Sequence, residues 1–196
     1  WAGAKGAATI VLNPLHALFP QHPESASPYF PSSRSFLNPL YISISDLPDL
    51  EKCTDARDRL SEPEVASRLI SLRDRDRIDY TGIADLKYDL IRRLYVYFRN
   101  HHLKNPDDKV AQAFRDFCEE GGQALKDFAT FDTLANHFDT PVWTNWPVEY
   151  QRPDSEAVTY FIKAHLDEIT FCNYCQWQAD TQLARAARVA KQAGVA

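Results

Sequence analysis

Methionine is absent from the 196-residue sequence, and glycine occurs only six times. With so few glycines, neither a GxGxxG fingerprint nor a Walker loop can be assembled, which excludes the commonest nucleotide-binding motifs. No apolar run approaches the roughly 18 residues that are needed to cross a bilayer, and the first residues lack the charged-then-apolar pattern of a signal peptide. We therefore expect a cytoplasmic protein that makes no contact with membranes.

The protein is mildly acidic, with 22 basic residues, 27 acidic residues and a net charge of -5. No basic cluster is long enough to follow a phosphate backbone, so nucleic acid is excluded as an expected partner. The cysteines are too few and too unevenly spaced for a disulfide scaffold, and their one CxxC pair lacks a second pair at zinc-finger spacing. We expect no metal site, and we interpret the cysteines as buried reduced thiols: Cys53, Cys118, Cys172 and Cys175.

Regular β structure is expected only near the start of the chain. The run from Ala7 to Leu12 is apolar and β-branched, which predicts a short strand buried on both faces in a parallel sheet. Seven of the 12 prolines then fall between residues 14 and 48, so this segment cannot be regular helix. A second short strand is predicted from Leu40 to Ile44.

Beyond Asp46 the pattern predicts helices almost throughout. Ser61, Pro63 and Glu64 form a start signal for one helix, and apolar residues recur at helical spacing between Thr81 and Leu103. Further helices are predicted after an Asn105 cap with Pro106 in the first turn, after a break at Gly121 and Gly122, and from Pro153 to Gly194. The predicted fold class is mainly α, with two short β-strands and about five or six helices.

The proline-rich segment LNPLHALFPQHPESASPYFPSSRSFLNPLYI, at positions 12–42, combines stiffness with hydroxyl groups and aromatic rings. Ligands of parallel α/β folds bind where loops leave the carboxyl ends of strands, and prolines reduce the entropy cost of holding one loop shape. Ser27, Tyr29 and Phe30 would suit a sugar, which offers C–H faces for stacking and hydroxyls at its rim. The alternative is that the rings fill the core and the serines cap turns.

The same segment closely resembles that of the amylomaltases, the bacterial 4-α-glucanotransferases also called disproportionating enzymes, after their second barrel strand. The weaker matches RDRIDYTGIADLKYDLIRRL, NWPVEYQRPDSEAV and YCQWQADTQLARA follow in order, so the resemblance spans essentially the whole chain. It implies an α-amylase-like (β/α)8 barrel with helical insertions, of which this chain would hold an unclosed part. It also implies transfer of α-1,4-glucan segments with retention of configuration and without a cofactor.

The resemblance assigns sugar-binding roles to two residues of the loop. Tyr29 matches the tyrosine that stacks on the sugar next to the scissile bond, and Ser27 matches a serine of the same wall. His16 lies close to this wall in sequence, and it is predicted either to bond a sugar hydroxyl or to have a structural role. Phe30 and Ser43 depart from the family pattern, where serine and aspartate are usual.

No catalytic residue is predicted within this chain. Retaining transfer needs two carboxyl groups about 5 to 5.5 Å apart, and the resemblance places those groups on later barrel strands. Asp79 is interpreted as a helix cap and Asp132 as part of the polar face of its helix. His101 and His102 are interpreted as solvated surface. We expect the chain to be an inactive part of a longer polypeptide, consistent with Trp1 as its first residue.

Three regions are predicted along the chain. Residues 1–45 would hold a barrel strand and the glucan-binding loop, residues 46–153 a helical insertion, and residues 154–196 a helix or helix pair that returns to the barrel. The expected partner is a maltooligosaccharide or another α-1,4-glucan. Unpaired strand edges also predict a homodimer in which strands of two chains pair.

A second hypothesis from a different class is a noncatalytic helical module that binds glucan or a protein partner. In this case Tyr29, Trp143 and Trp146 would form the stacking surface.

Overall fold

Six α-helices account for most of residues 1–195, the part of the chain that the computed structural model describes. The helices are α1 (Thr54–Ser61), α2 (Pro63–Arg73), α3 (Tyr80–Phe98), α4 (Lys109–His137), α5 (Glu156–Ala164) and α6 (Leu166–Gln192). The two strands, β1 (His16–Ala17) and β2 (Ser33–Leu37), form an antiparallel hairpin. The predicted fold class, mainly α with two short strands, is therefore confirmed.

The helix boundaries follow local signals in the sequence. Pro63 begins α2, and the Asp79 carboxylate caps α3 by accepting the Gly82 N–H at 2.8 Å, as predicted. The predicted cap at Asn105 is wrong by three residues, because the Asp108 carboxylate accepts the first free N–H groups of α4 instead. The predicted break appears at Gly122, where φ is 52° and α4 bends.

Two apolar clusters make up most of the core. The first lies between α3, the first half of α4 and α6, where Phe98 packs edge-on against Phe114 with ring centroids 5.3 Å apart. The second lies between the second half of α4, the turn around Trp146 and α5. Helix α4 thus belongs to both clusters, and α4 and α6 pack along each other.

The predicted strand from Ala7 to Leu12 is wrong. This segment has no regular structure, and its residue Val11 is 90% exposed. A strand is stabilised only by neighbouring strands that pair with its backbone, and no segment of residues 1–195 pairs with this one. Strand propensity alone therefore did not produce a strand.

The predicted strand from Leu40 to Ile44 is also wrong, because side chains of two helices form hydrogen bonds with its backbone groups. The Gln182 amide of α6 accepts the Ser43 N–H at 2.8 Å and donates to the Ser43 carbonyl at 2.9 Å. The Lys87 ammonium of α3 donates to the carbonyls of Leu40 and Ile42. The segment consequently forms short 3-10 turns, at Pro39–Tyr41 and Ile44–Asp46.

A second glutamine holds the end of β2 in the same way. The Gln176 side chain, 3% exposed on α6, accepts the Leu37 N–H at 2.9 Å and donates to the Leu37 carbonyl at 2.8 Å. We call Gln176 and Gln182 the amide clamps. Each clamp satisfies both backbone groups of one residue, as a neighbouring strand would.

The interpretation of Asp132 as part of a polar helix face is wrong. Its carboxyl group lies among Tyr88, Cys172 and Phe128, and the Cys172 thiol is 3.9 Å away. Burial raises the pKa of Asp132 to about 7, because the charged form loses its hydration. At pH 7 the group is therefore about half protonated rather than fully charged.

The interpretation of His102 as solvated surface is also wrong. Its half-buried ring lies between the carboxylates of Asp108, at 2.9 Å, and Asp49, at 3.2 Å. Burial lowers the pKa of His102, but the bonds to Asp108 and Asp49 outweigh it and raise the pKa. His101 is exposed and stacks on Tyr97 with ring centroids 4.0 Å apart.

The cysteines agree with the prediction of reduced thiols. All four are free, and three of them are buried, while Cys118 is half-buried. Burial raises the pKa of the Cys118 thiol to about 11. Within residues 1–195, no helix has the length and apolar character that a membrane span requires.

The first prediction concerns the amide clamp at Gln176. Gln176→Leu keeps the size of the side chain but leaves two backbone groups of Leu37 without partners. We expect the free energy of unfolding to fall by about 2 to 4 kcal/mol, measured by urea denaturation followed by circular dichroism. Gln192→Leu, at an exposed position of α6, should change it by less than about 0.5 kcal/mol. Equal losses in both variants would contradict a role for the clamp.

The second prediction concerns Asp132 and pH. The pKa of Asp132 is about 7 in the folded chain and close to 3.8 in the unfolded chain, so the folded state binds more protons between these values. Its contribution to stability therefore falls as pH rises from about 4 to about 7. Asp132→Asn should remove this slope and raise the free energy of unfolding above pH 7 by on the order of 3 kcal/mol.

Urea denaturation of both proteins at several pH values measures this difference. Asp127→Asn, at an exposed position of the same helix, is the matched control and should keep the slope of the unmodified chain. A slope that survives in the Asp132→Asn protein would show that other groups cause it.

Candidate functional site

The proline-rich loop is closed at its neck by the β1–β2 hairpin. His16 pairs with Leu37 and Ala17 with Ser33, with an irregularity in register between them. The Ser32 N–H donates to the Ala17 carbonyl at 2.9 Å, which fastens the end of the loop to its beginning. The hairpin therefore presents residues 18–32 as one projecting loop.

The structure brings two of the three predicted site residues together on one turn of this loop. The Phe30 N–H donates to the Ser27 carbonyl at 3.2 Å, so Ser27 and Tyr29 belong to the same turn. Tyr29 is 66% exposed, and Ser27 and Phe30 are exposed as well. The alternative in which these rings fill the core is contradicted by their exposure.

His16 lies at the neck of the loop rather than on this turn. It is half-buried in β1, and among residues 1–195 no hydrogen bond joins its side chain to Ser27 or Tyr29. Its backbone takes part in the register of the hairpin through the pairing with Leu37. The hairpin thus separates the base of the loop from the turn that carries the exposed ring.

The loop and hairpin pack on α4 and α6 through a few specific contacts. The Phe36 ring of β2 stacks on Phe128 of α4, with centroids 4.2 Å apart and an angle of 19° between the rings. The Gln21 amide nitrogen lies 3.5 Å from the Asp132 carbonyl, and the clamp at Gln176 fixes the end of β2. These contacts hold the loop against the helices at its neck.

A cavity of about 250 Å³ lies under the loop, between β1, α3, α4 and α6. Its lining includes Gln21, Tyr88 and the Asp132 carboxyl group. The Gln21 side-chain oxygen is buried without a hydrogen-bond partner within residues 1–195. Tyr29 does not line this cavity, so the exposed ring and the buried carboxyl group belong to different surfaces.

The two carboxyl groups that the sequence suggested have different environments. Asp79 caps α3 and pairs with Arg75 at 2.7 Å, and Asp132 lies under the loop. Within the described part of the chain, no group of three His, Cys, Asp or Glu side chains could hold a metal ion.

Sequence reasoning missed the amide clamps and the burial of Asp132. The signal for the clamps was present in YCQWQADTQLARA, because Gln176 interrupts a run of apolar and aromatic residues. A polar residue at such a position has to find a buried partner. Which backbone it would bind could not be read from the sequence.

Comparison with known proteins gives consistent results. The family model described as 4-alpha-glucanotransferase matches residues 1–196. The 4-alpha-glucanotransferase of Haemophilus influenzae is 29% identical over 97% of this chain and 28% of its own length. The enzyme of that name from Mycobacterium bovis is 34% identical over 99% of this chain and 26% of its own length.

A crystal structure of amylomaltase from Corynebacterium glutamicum has a similar fold. It matches 98% of this chain and 25% of its own chain, with a TM-score of 0.70 and 27% sequence identity. The chain therefore spans about a quarter of the length of the relatives that it matches. The match of the family model over residues 1–196 shows that the chain belongs to the 4-alpha-glucanotransferase family.

Proposed function

We propose that this chain forms part of a retaining 4-α-glucanotransferase that transfers α-1,4-glucan segments between maltooligosaccharides. Its contribution is one wall of the sugar-binding cleft, formed by the turn that carries Ser27 and Tyr29. The observation that carries this proposal is the 66% exposure of Tyr29 on a loop whose neck is fixed by a hairpin. Family membership supports the reaction class.

The physical properties of the loop suit sugar binding. Four prolines between residues 18 and 32 restrict the loop, so little entropy is lost when a sugar is bound. A glucose unit would stack its C–H face on the Tyr29 ring and bond the Ser27 hydroxyl at its rim. His16, at the neck, would contribute only if the sugar extends along the hairpin.

The catalytic carboxyl groups would come from the remainder of the parent protein. Retaining transfer needs a nucleophile and an acid/base group about 5 to 5.5 Å apart. Asp79 is engaged as a helix cap, and Asp132 lines a cavity under the loop that Tyr29 does not line, so the two do not form such a pair beside the exposed ring. Alone, this chain would bind glucan without transferring it, and the family chemistry needs no cofactor.

The proposal includes three further expectations, about the barrel, the run from Ala7 to Leu12 and the location of the parent protein. The chain would be a segment of a (β/α)8 barrel with a helical insertion, divided at residues 45 and 153. The exposed run from Ala7 to Leu12, which forms no strand within residues 1–195, would become a barrel strand only when strands of the parent protein or of a second chain in a homodimer pair with it. The parent protein would be cytoplasmic.

The third prediction is that this chain has no transferase activity by itself. Incubation of the 196-residue chain with maltotriose should yield neither glucose nor longer oligomers by chromatography, because the carboxyl pair is missing. A full-length relative, the amylomaltase of Corynebacterium glutamicum, is the positive control. Disproportionation by the purified chain would contradict the assignment of catalysis to later strands.

The fourth prediction tests the sugar-binding wall. Tyr29→Ala should weaken maltohexaose binding by about 1 to 3 kcal/mol, because the stacking surface is lost. Isothermal titration calorimetry measures the change. Tyr160→Ala removes a tyrosine of comparable exposure, 74%, from α5 and should leave the affinity unchanged. Unchanged affinity in the Tyr29→Ala protein would remove this residue from the wall.

A further inference from the structure

A groove of about 670 Å³ lies on the side of α4 and α6 that faces away from the loop cavity. It is bounded by the second half of α4, the turns around Trp143 and Tyr150, α5 and the first two turns of α6. The groove and the cavity under the loop share no lining residue. Its volume is within the usual range of small-molecule sites, about 300 to 1,000 Å³.

Aromatic rings form one wall of the groove, and the fold holds them firmly. Trp146 is 4% exposed, donates its indole N–H to the Thr140 carbonyl at 2.9 Å and packs on Phe131 with centroids 5.3 Å apart. Trp143 begins the same short turn and is 49% exposed at the edge of the groove. One ring is therefore structural, and the other presents a face to solvent.

A glutamine fixes the turn that carries Trp143. The Gln151 amide donates to the Thr144 carbonyl at 3.0 Å and to the Trp146 carbonyl at 2.8 Å. These two bonds connect the turn to the segment that leads into α5. The exposed Trp143 ring is thus presented from a braced turn, which lowers the entropy cost of stacking a ligand on it.

The polar lining is mostly neutral. Lys126 and Asp127 contribute one charge of each sign, and the other polar groups include side-chain amides and a threonine hydroxyl. The Asn173 side-chain oxygen is buried without a hydrogen-bond partner within residues 1–195. A bound hydroxyl group would supply the missing donor.

We propose that this groove binds a short segment of α-1,4-glucan, at a site separate from the wall formed by Tyr29. The balanced charge disfavours phosphate or carboxylate ligands, and a purely apolar ligand would leave the amide groups unpaired. A glucan segment offers a C–H face for Trp143 and hydroxyls for Asn173 and the other amides. This inference rests on the proposed function, because it takes the glucan of that reaction as its ligand.

A second glucan site has a clear physical consequence. A chain bound at both sites engages the second site intramolecularly, at a high effective concentration. Long glucans would gain affinity from both sites, whereas maltotriose would occupy them separately. The groove would therefore favour long glucans over short ones.

The test uses maltohexaose and the indole N–H signals of the 196-residue chain in NMR spectra. In the Tyr29→Ala protein, where the wall is removed, we expect the Trp143 signal to move saturably as maltohexaose is added. Trp143→Ala, studied by calorimetry in this same background, should weaken binding about three- to tenfold. Asn173→Leu should also weaken it, and Tyr160→Ala should not. Circular dichroism verifies that each variant is folded.

The outcomes separate this inference from the proposed function. A stationary Trp143 signal, together with unchanged affinity in the Trp143→Ala protein, would overturn the glucan site but leave the Tyr29 wall intact. If the Trp143 signal moves and the Tyr29→Ala protein binds maltohexaose with the same affinity as the unmodified chain, the result would support the groove and contradict the wall. An equal response to cellohexaose would overturn the assignment to α-1,4-glucan. If the chain binds no sugar but self-associates, and Trp143→Ala abolishes this self-association, then a second copy of the chain covers the groove instead of glucan.

Discussion

The position of the loop depends on two glutamine side chains that bind backbone as a neighbouring strand would. Gln176 and Gln182 project from α6 and each satisfies both the N–H and the C=O of one residue, Leu37 and Ser43 respectively. A buried backbone group without a partner costs about 1 to 3 kcal/mol, so the four satisfied groups contribute an amount comparable with the net stability of most domains, about 5 to 15 kcal/mol. Lys87 adds two further bonds to the same segment. A helix thereby fixes a stretch of chain that has no sheet to join.

This arrangement explains why helices were predictable from the sequence and strands were not. Helix α3 was predicted from residue spacing, because a helix satisfies its own backbone and its caps are local. A strand is completed by residues far away in sequence, so the apolar run at Ala7 to Leu12 carried only propensity. The run at Leu40 to Ile44 had a partner, but that partner was a helix side chain from residue 182.

The candidate site was predictable to a different extent for each residue. The exposed ring of Tyr29 and its turn with Ser27 agree with the motif, because proline and serine set local turn geometry. The environments of Asp132 and His102 could not be predicted, because both depend on which helices pack around them. The His102 ring lies between Asp49, which is 53 residues away in sequence, and Asp108, which is six residues away. Such pairs become visible only when the fold is known.

One glycine allows α4 to pack in two apolar clusters. At Gly122 the backbone adopts a φ of 52°, which side chains with a Cβ rarely tolerate, and α4 bends there. Before the bend, Phe114 packs in the cluster of α3 and α6; after it, Leu134 packs in the cluster of Trp146. The second half of α4 thus forms the floor of the cavity under the loop on one side and of the apolar groove on the other. The bend therefore lets one helix pack in both clusters.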